Sequence, residues 1–250
     1  MVVLTWAANA SSLPAVIMFG TGHAAAAALS FAQERGYMGL VTEKTGRPEV
    51  LVDCACETGE NPLWHATEAR VYWVDIPAGR LYRHTPAVAK TEMFEIGTPV
   101  GGFTIQADGS LLLFMARGAV ARWRDGRLEV VIPEIPEERD TRFNDVIADP
   151  QGRVFCGTMS ARTHAGRLYR LDTDRTVRPV LEGIGTSNGM GFTANRAGFY
   201  HTDTNRGEIR AFDYEQSTGA ISNQRTFVKV TDGTGAPDGL TIDSEDCIWS

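Results

Sequence analysis

The sequence predicts an all-β protein, on three observations. A unit made of a polar turn and then an apolar strand recurs five times, its first apolar residue falling at Val71, Leu111, Val154, Phe199 and Ile248. The spacings are 40, 43, 45 and 49 residues. A further strand follows several copies, as Gly79-Arg-Leu-Tyr-Arg-His84, Gly166-Arg-Leu-Tyr-Arg-Leu-Asp172 and Gly207-Glu-Ile-Arg-Ala-Phe-Asp213. No helix-period segment lies between copies, and four-stranded units of about 40–50 residues without helices mark a β-propeller. A sandwich also has many short strands, but nothing in it requires this unit to return at a fixed spacing.

The repeat starts late in the chain. Met1 to Gln33 contains no Asp, Glu, Lys or Arg. A secretory signal needs a positive n-region, which is missing. A membrane span needs about 20 predominantly apolar residues, and Pro14, Gly20, Thr21, Gly22 and His23 interrupt this run. The apolar Ala15–Phe19, then Gly20-Thr-Gly-His-Ala-Ala25, an alanine-rich stretch and Glu43 look like the opening of a dinucleotide-binding βαβ unit. Nothing downstream repeats that pattern. Residues 1–47 therefore read as a leader or foreign N-terminal extension with a Rossmann-like remnant, and Met38 would make a sensible start for the main domain. Residues 48–250 read as an incomplete propeller of four-plus blades, truncated at the C-terminus, because the fifth unit stops two residues into its strand. Glu49–Asp53 is the strand expected to join the last blade.

The chain of 250 residues has 31 acidic and 24 basic side chains, a net charge of −7. That balance argues against nucleic acid or an anionic membrane as partner, since both demand a basic face. The densest basic cluster, Arg122, Arg124 and Arg127, flanks Asp125-Gly126, a hairpin dipeptide. The four cysteines, Cys54, Cys56, Cys156 and Cys247, are too few for a disulfide scaffold. They read as reduced strand residues in a reducing, cytoplasmic compartment. Cys54 and Cys56 also have the spacing of a metal or redox pair, although no second pair completes a metal set.

A propeller brings the innermost strand of each blade to its axis, so one residue per blade can converge there. Four isolated oxygen-bearing residues stand out, Glu60, Asn188 and Asp238 in tight Gly/Pro contexts and Asn144 in Arg-Phe-Asn-Asp. Asn144 to Asn188 is 44 residues and Asn188 to Asp238 is 50, matching the repeat, while Glu60 to Asn144 is 84, about two blades. Two carboxylates and two amide oxygens suit a hard divalent ion. Each motif taken singly also reads as a turn, because Asn-Gly and Asp-Gly are turn formers.

The same residues carry a resemblance. Arg142-Phe-Asn-Asp145, Asp149-Pro-Gln-Gly-Arg-Val-Phe-Cys-Gly-Thr-Met159, Ser187-Asn-Gly189, Phe212-Asp-Tyr-Glu-Gln-Ser-Thr-Gly-Ala-Ile-Ser-Asn223 and Pro237-Asp-Gly239 resemble the SMP-30/gluconolactonase/regucalcin family. The resemblance spans about Val50 to Ser250. It implies a six-bladed propeller with one axial divalent ion, among calcium, manganese, magnesium and zinc, most often hydrolysing sugar lactones. By motif, Glu60, Asn188 and Asp238 would hold the metal. Asn144 would be a ligand or near-ligand that also touches substrate, and Arg142 would bind substrate oxygen. Asn61 and Asp246 stand where the family has glycine, and both residue types tolerate left-handed backbone. The Ser160–Gly166 loop has no acid to serve as the lid contact some relatives carry. His164 in that loop either borders the cleft or is an exposed loop histidine.

The chemistry expected is hydrolysis of a ring ester by a water that a metal acidifies. Asp238 would be the general base, with Glu60 the alternative. Arg142 and Asn144 would steady the oxyanion or orient sugar hydroxyls. No Gly-x-Ser-x-Gly elbow is present, which argues against an acyl-enzyme. Other readings are a phosphotriester hydrolase of the organophosphate type, a non-catalytic calcium-binding propeller, and an inactive truncated product. The expected partner is a small-molecule sugar lactone; oligomeric state is unreadable.

Overall fold

Strand composition decides which parts of this chain are buried. Leu111-Leu-Leu-Phe-Met115 and Val154-Phe-Cys-Gly-Thr158 are buried at every position, not at alternate ones. A strand buried on both faces must have a sheet on either side, and that is how the sheets stack. The computed structural model describes residues 2–4, 16–18, 49–231 and 235–250.

Three short strands, β1 (Val2–Leu4), β2 (Val16–Met18) and β3 (Glu49–Val52), form an antiparallel sheet in the order β2-β1-β3. The segment expected to join the last blade forms strand β3, which pairs with β1. The rest of the proposed dinucleotide motif, from Phe19 to Glu43, lies outside the described residues.

Four complete antiparallel meanders follow, and these are the repeats. The first comprises β4 (Gly59–His65), β5 (Arg70–Asp75), β6 (Arg80–Thr85) and β7 (Lys90–Glu95). The second comprises β8 (Val100–Ile105), β9 (Leu111–Met115), β10 (Val120–Arg124) and β11 (Arg127–Ile132). The third is β12 (Phe143–Ala148), β13 (Val154–Thr158), β14 (Gly166–Leu171) and β15 (Val177–Ile184). The fourth is β16 (Ser187–Phe192), β17 (Gly198–Asp203), β18 (Glu208–Glu215) and β19 (Ala220–Lys229), and the pair β20 (Thr241–Ile242) and β21 (Ile248–Trp249) opens a fifth. Every repeat position read from the sequence lands at the start of a second strand, β5, β9, β13, β17 or β21. The glycine-led segments are the third strands β6, β14 and β18. Among the described residues no helix is long and apolar enough to cross a membrane.

The chain divides into two compact units, Met1–Pro99 and Val100–Ser250. In the second, the first strands β8, β12 and β16 lie side by side, with β20 next to β16. Alternation along β13 shows how neighbouring sheets share a strand. Val154 and Cys156 join Leu112, Phe114 and Phe143 on one side, while Phe155 joins Phe199, Phe212 and Tyr214 on the other. The outer strands β11 and β19 are mostly exposed.

Polar residues at the turns lock the sheets together. The buried Asp149 carboxylate accepts from Arg153 Nε (2.5 Å) and from the Tyr214 hydroxyl (2.8 Å). Arg153 reaches the Gln216 carbonyl as well, at 2.5 Å. The Asp149-x-x-Gly-Arg and Asp213-Tyr214 motifs are thus one staple between the third and fourth blades. Asp125 (φ 46°) and Gly126 (φ 83°) form the expected two-residue hairpin, with Arg124 opposite Arg127. Arg122 is paired with the Asp108 carboxylate and Arg124 with the Asp108 carbonyl, so the basic cluster is largely satisfied within its own blade.

The expectation of strand cysteines holds only for Cys156. Cys54, Cys56 and Cys247 lie in connecting segments, and all four are free.

Candidate active site

The first strand of every complete blade loses its pairing register near its start. In β4 the shift lies between Glu60 and Leu63, in β12 between Phe143 and Val146, and in β16 between Ser187 and Met190. The candidates Glu60, Asn144 and Asn188 are each the second residue of their strand and sit at these breaks. A bulge frees backbone from the ladder and re-aims a side chain. Asn188-Gly189 and the preceding residues are therefore strand, not the turn that Asn-Gly suggested.

The second blade shifts at the same place, between Val100 and Gly102, but Gly101 occupies the slot. A Cβ on Gly101 would lie 2.0 Å from the Phe143 carbonyl oxygen, so no side chain fits. This accounts for the double interval between Glu60 and Asn144.

Four predicted site residues come together in the second unit. Arg142 Nη1 donates to the Phe143 carbonyl (2.9 Å) and to Asn144 Oδ1 (2.7 Å). The Asn144 amide nitrogen donates to the Ser187 carbonyl (2.9 Å) and to Asn188 Oδ1 (3.2 Å). Asn188 Nδ2 donates to Thr204 Oγ1 at 3.0 Å, and that hydroxyl donates to the Pro237 carbonyl at 2.8 Å. Gly189 N–H donates to the Asp238 carbonyl at 3.0 Å. Asn144 and Asn188 are buried. Asp238 keeps one exposed side, yet protein crowding around its carboxyl still raises its pKa above the ordinary carboxylate value. A hydrogen bond from Asn188 partly offsets that rise.

The Asn188 nitrogen serves Thr204, while Asn188 Oδ1 accepts from the Asn144 nitrogen. Asn144 Oδ1 is already engaged by Arg142, so Asn144 orients Asn188 with its nitrogen. Gly189 is required here, since a Cβ on it would lie 2.2 Å from the Leu240 nitrogen. Among the described residues no group of three or more His, Cys, Asp or Glu gathers. A donor set that leans on amide oxygens is compatible with that.

Glu60 lies in the first unit, half-buried on β4. Asn61 beside it has φ 52° and Asp246 has φ 62°, so both adopt the left-handed backbone for which glycine is the usual choice. Asp75, at the end of β5, accepts the Thr58 amide (2.9 Å) and the Glu57 amide (3.1 Å), holding the segment that leads into Glu60. In the same position of the fourth blade, Asp203 accepts the Gly185 amide at 3.1 Å. His164 is half-buried, its Nδ1 at 2.9 Å from the Ala165 carbonyl.

Thr204, Asp75 and Ser187 are site-supporting residues that sequence reading missed. Ser187 Oγ lies 2.8 Å from the Nε2 of the fully buried His201. Burial, followed by the nearby Arg210 charge, lowers the His201 pKa to about 3. The imidazole is therefore neutral. Ser187 lies in a motif read for its neighbour Asn188, and no local motif announces Thr204 or Asp75; the partners of all three are 14 or more positions away.

A profile of the SMP-30/Gluconolactonase/LRE-like region matches residues 58–250. The chain belongs to that family. Within it, the pentonolactonase XacC of Haloferax volcanii is 50% identical over 202 residues, which are 80% of this chain and 68% of that protein. Regucalcin of Sus scrofa is 31% identical over 212 residues, 80% of this chain and 71% of the relative. Among solved structures, a luciferin-regenerating enzyme superposes with a TM-score of 0.70 at 28% identity, covering 76% of this chain and 67% of that one. A calcium-binding protein, regucalcin, from Agrobacterium tumefaciens superposes at 0.73 with 21% identity, covering 80% of this chain and 69% of that one. The blades described above are thus those of this family's propeller.

Proposed function

We propose that this chain hydrolyses sugar lactones, with a divalent ion held in the second unit by Asn188 and Asp238 and a proton taken from water by Asp238. In class it is a lactonase, a hydrolase of carboxylic esters; 50% identity to a pentonolactonase favours aldonolactones as substrates. The observation that carries the site is the coincidence of Asn144 and Asn188 with the first-strand ladder breaks of their own blades.

The residues fit a hard cation. Asn188 Oδ1 and the Asp238 carboxyl are oxygen donors, and a desolvated carboxylate with a raised pKa is one that a cation would stabilise. When bound, such an ion polarises the lactone carbonyl and acidifies a water. This chain's side chains do the rest. Asp238 accepts the proton as water adds to the carbonyl carbon. Arg142, held by Phe143 and Asn144, supplies fixed positive charge for the carbonyl oxygen as the tetrahedral centre forms. That cation next to the ligand set favours turnover over simple ion binding. Collapse opens the ring, the alkoxide takes up a proton, and an aldonic acid leaves.

Proton release from a panel of pentono- and hexonolactones tests the proposal, with spontaneous hydrolysis subtracted. The protein is stripped with chelator and resupplied with calcium, manganese, magnesium or zinc. Turnover should vanish on stripping and return with at least one ion. Full activity in the stripped protein would refute the metal's role, and inactivity on every lactone with every ion would refute the substrate class.

A further inference from the structure

We propose that Cys54 and Cys56 form a reversible redox site, closing to an intrachain disulfide by exchange with a low-molecular-weight disulfide. The Sγ atoms lie 3.4 Å apart. They are brought together by a γ-turn at Ala55, in which the Cys56 N–H donates to the Cys54 carbonyl at 2.8 Å. Closure needs the sulfurs to approach to about 2.0 Å, a movement a rotation about each Cα–Cβ bond can supply.

The surroundings favour this pair over the other thiols. Both cysteines are half-buried against the Val71 and Trp73 core, while Ala55 at the tip is exposed. Cys156 is buried in β13, and burial alone pushes its thiol far above the ordinary range. Cys247 is exposed but has no thiol beside it. Downstream, the Glu57 and Thr58 amides are clamped on Asp75, so a change in the 54–56 turn stops there and leaves β4 in register.

The exchange balances in two steps. The Cys54 thiolate attacks oxidised glutathione, forming a mixed disulfide and releasing one glutathione thiolate. The Cys56 thiolate then attacks the Cys54 sulfur, forming the intrachain bond and releasing the second. The two thiol protons pass to solvent. Burial, then the hydrogen bond with Cys54, holds the Cys56 thiol up at about 11 in the reduced protein. The mixed disulfide removes that hydrogen bond. Closing so short a loop strains the bond, and strained disulfides reduce readily.

The test equilibrates the whole chain in glutathione buffers running from reduced to oxidised, followed by acid quench, alkylation and peptide mass mapping. The peptide carrying both cysteines should lose two hydrogens and take up no alkylating agent at the oxidised end. Excess reduced glutathione should reverse this. Cys54→Ser and Cys56→Ser should each stop at a single glutathione adduct, while Cys247→Ser should leave the cross-link unchanged. Full alkylation of both thiols in oxidised glutathione would overturn the proposal, as would glutathione adducts without the cross-link in the unaltered chain.

Discussion

Gly101 passes so near Phe143 that a Cβ on it would lie 2.0 Å from the Phe143 carbonyl oxygen. The contact lets β8 and β12 come together where Arg142 and Asn144 take up their positions. Backbone that close cannot yield without moving the strand that carries Asn144. Gly101→Ala should therefore cost about 1–3 kcal/mol, the range for overpacking a tight core, read as a lower urea midpoint. A midpoint equal to the parent's would mean that the two strands separate at no cost.

Asp238→Asn keeps the shape of the side chain and removes its basicity. Lactone turnover should fall by about 10²–10⁴-fold, the usual worth of a positioned general base, while the far-ultraviolet circular dichroism stays that of the parent. Undiminished turnover would transfer the base role elsewhere, with Glu60 the next to replace.

Thr204 hydroxyl links the Asn188 amide nitrogen to the Pro237 carbonyl, next to Asp238. Thr204→Val removes the hydroxyl at nearly constant volume and leaves both groups without that partner. Manganese affinity of the stripped protein, measured by calorimetric titration, should weaken by about 10-fold or more, as for other groups that orient ligands. Thr204→Ser should restore it. Equal affinity in the valine variant would reduce Thr204 to a packing residue.

His201 gives the fold a defined acid sensitivity. Its ordinary value is 6.5, and burial lowers it to about 3 in the folded chain. Between these values the unfolded chain binds a proton that the folded chain refuses. Stability is therefore complete above pH 6.5 and declines as pH falls toward about 3. The slope from this one group is at most about 1.4 kcal/mol per pH unit. Urea unfolding from pH 7 to pH 4 should show a shallower decline for His201→Gln than for the parent. Parallel curves would show that His201 is already charged in the fold.

Much of the blade pattern is local and so was legible. A polar turn before Val71, Leu111, Val154, Phe199 or Ile248 starts a second strand whatever the rest of the chain does. Asp125-Gly126 makes its hairpin because both residues accept positive φ. The cysteines were read less well: a γ-turn at Ala55, not strand pleating, places Cys54 beside Cys56. Asn144 was legible as a candidate, but its bonding was not, because that depends on which of its amide atoms Arg142 takes.

By itself, then, the sequence determined the all-β class, the second and third strand of each blade, and the oxygen-bearing residues at blade spacing. Periodicity and turn chemistry act over a few residues and survive without knowledge of the fold. Only the tertiary structure decided that Gly101 stands at the ladder break of the second blade, that Thr204 accepts from the Asn188 amide nitrogen, and that His201 stays neutral. Each depends on burial and on hydrogen bonds between residues many positions apart, and those exist only once the sheets have packed.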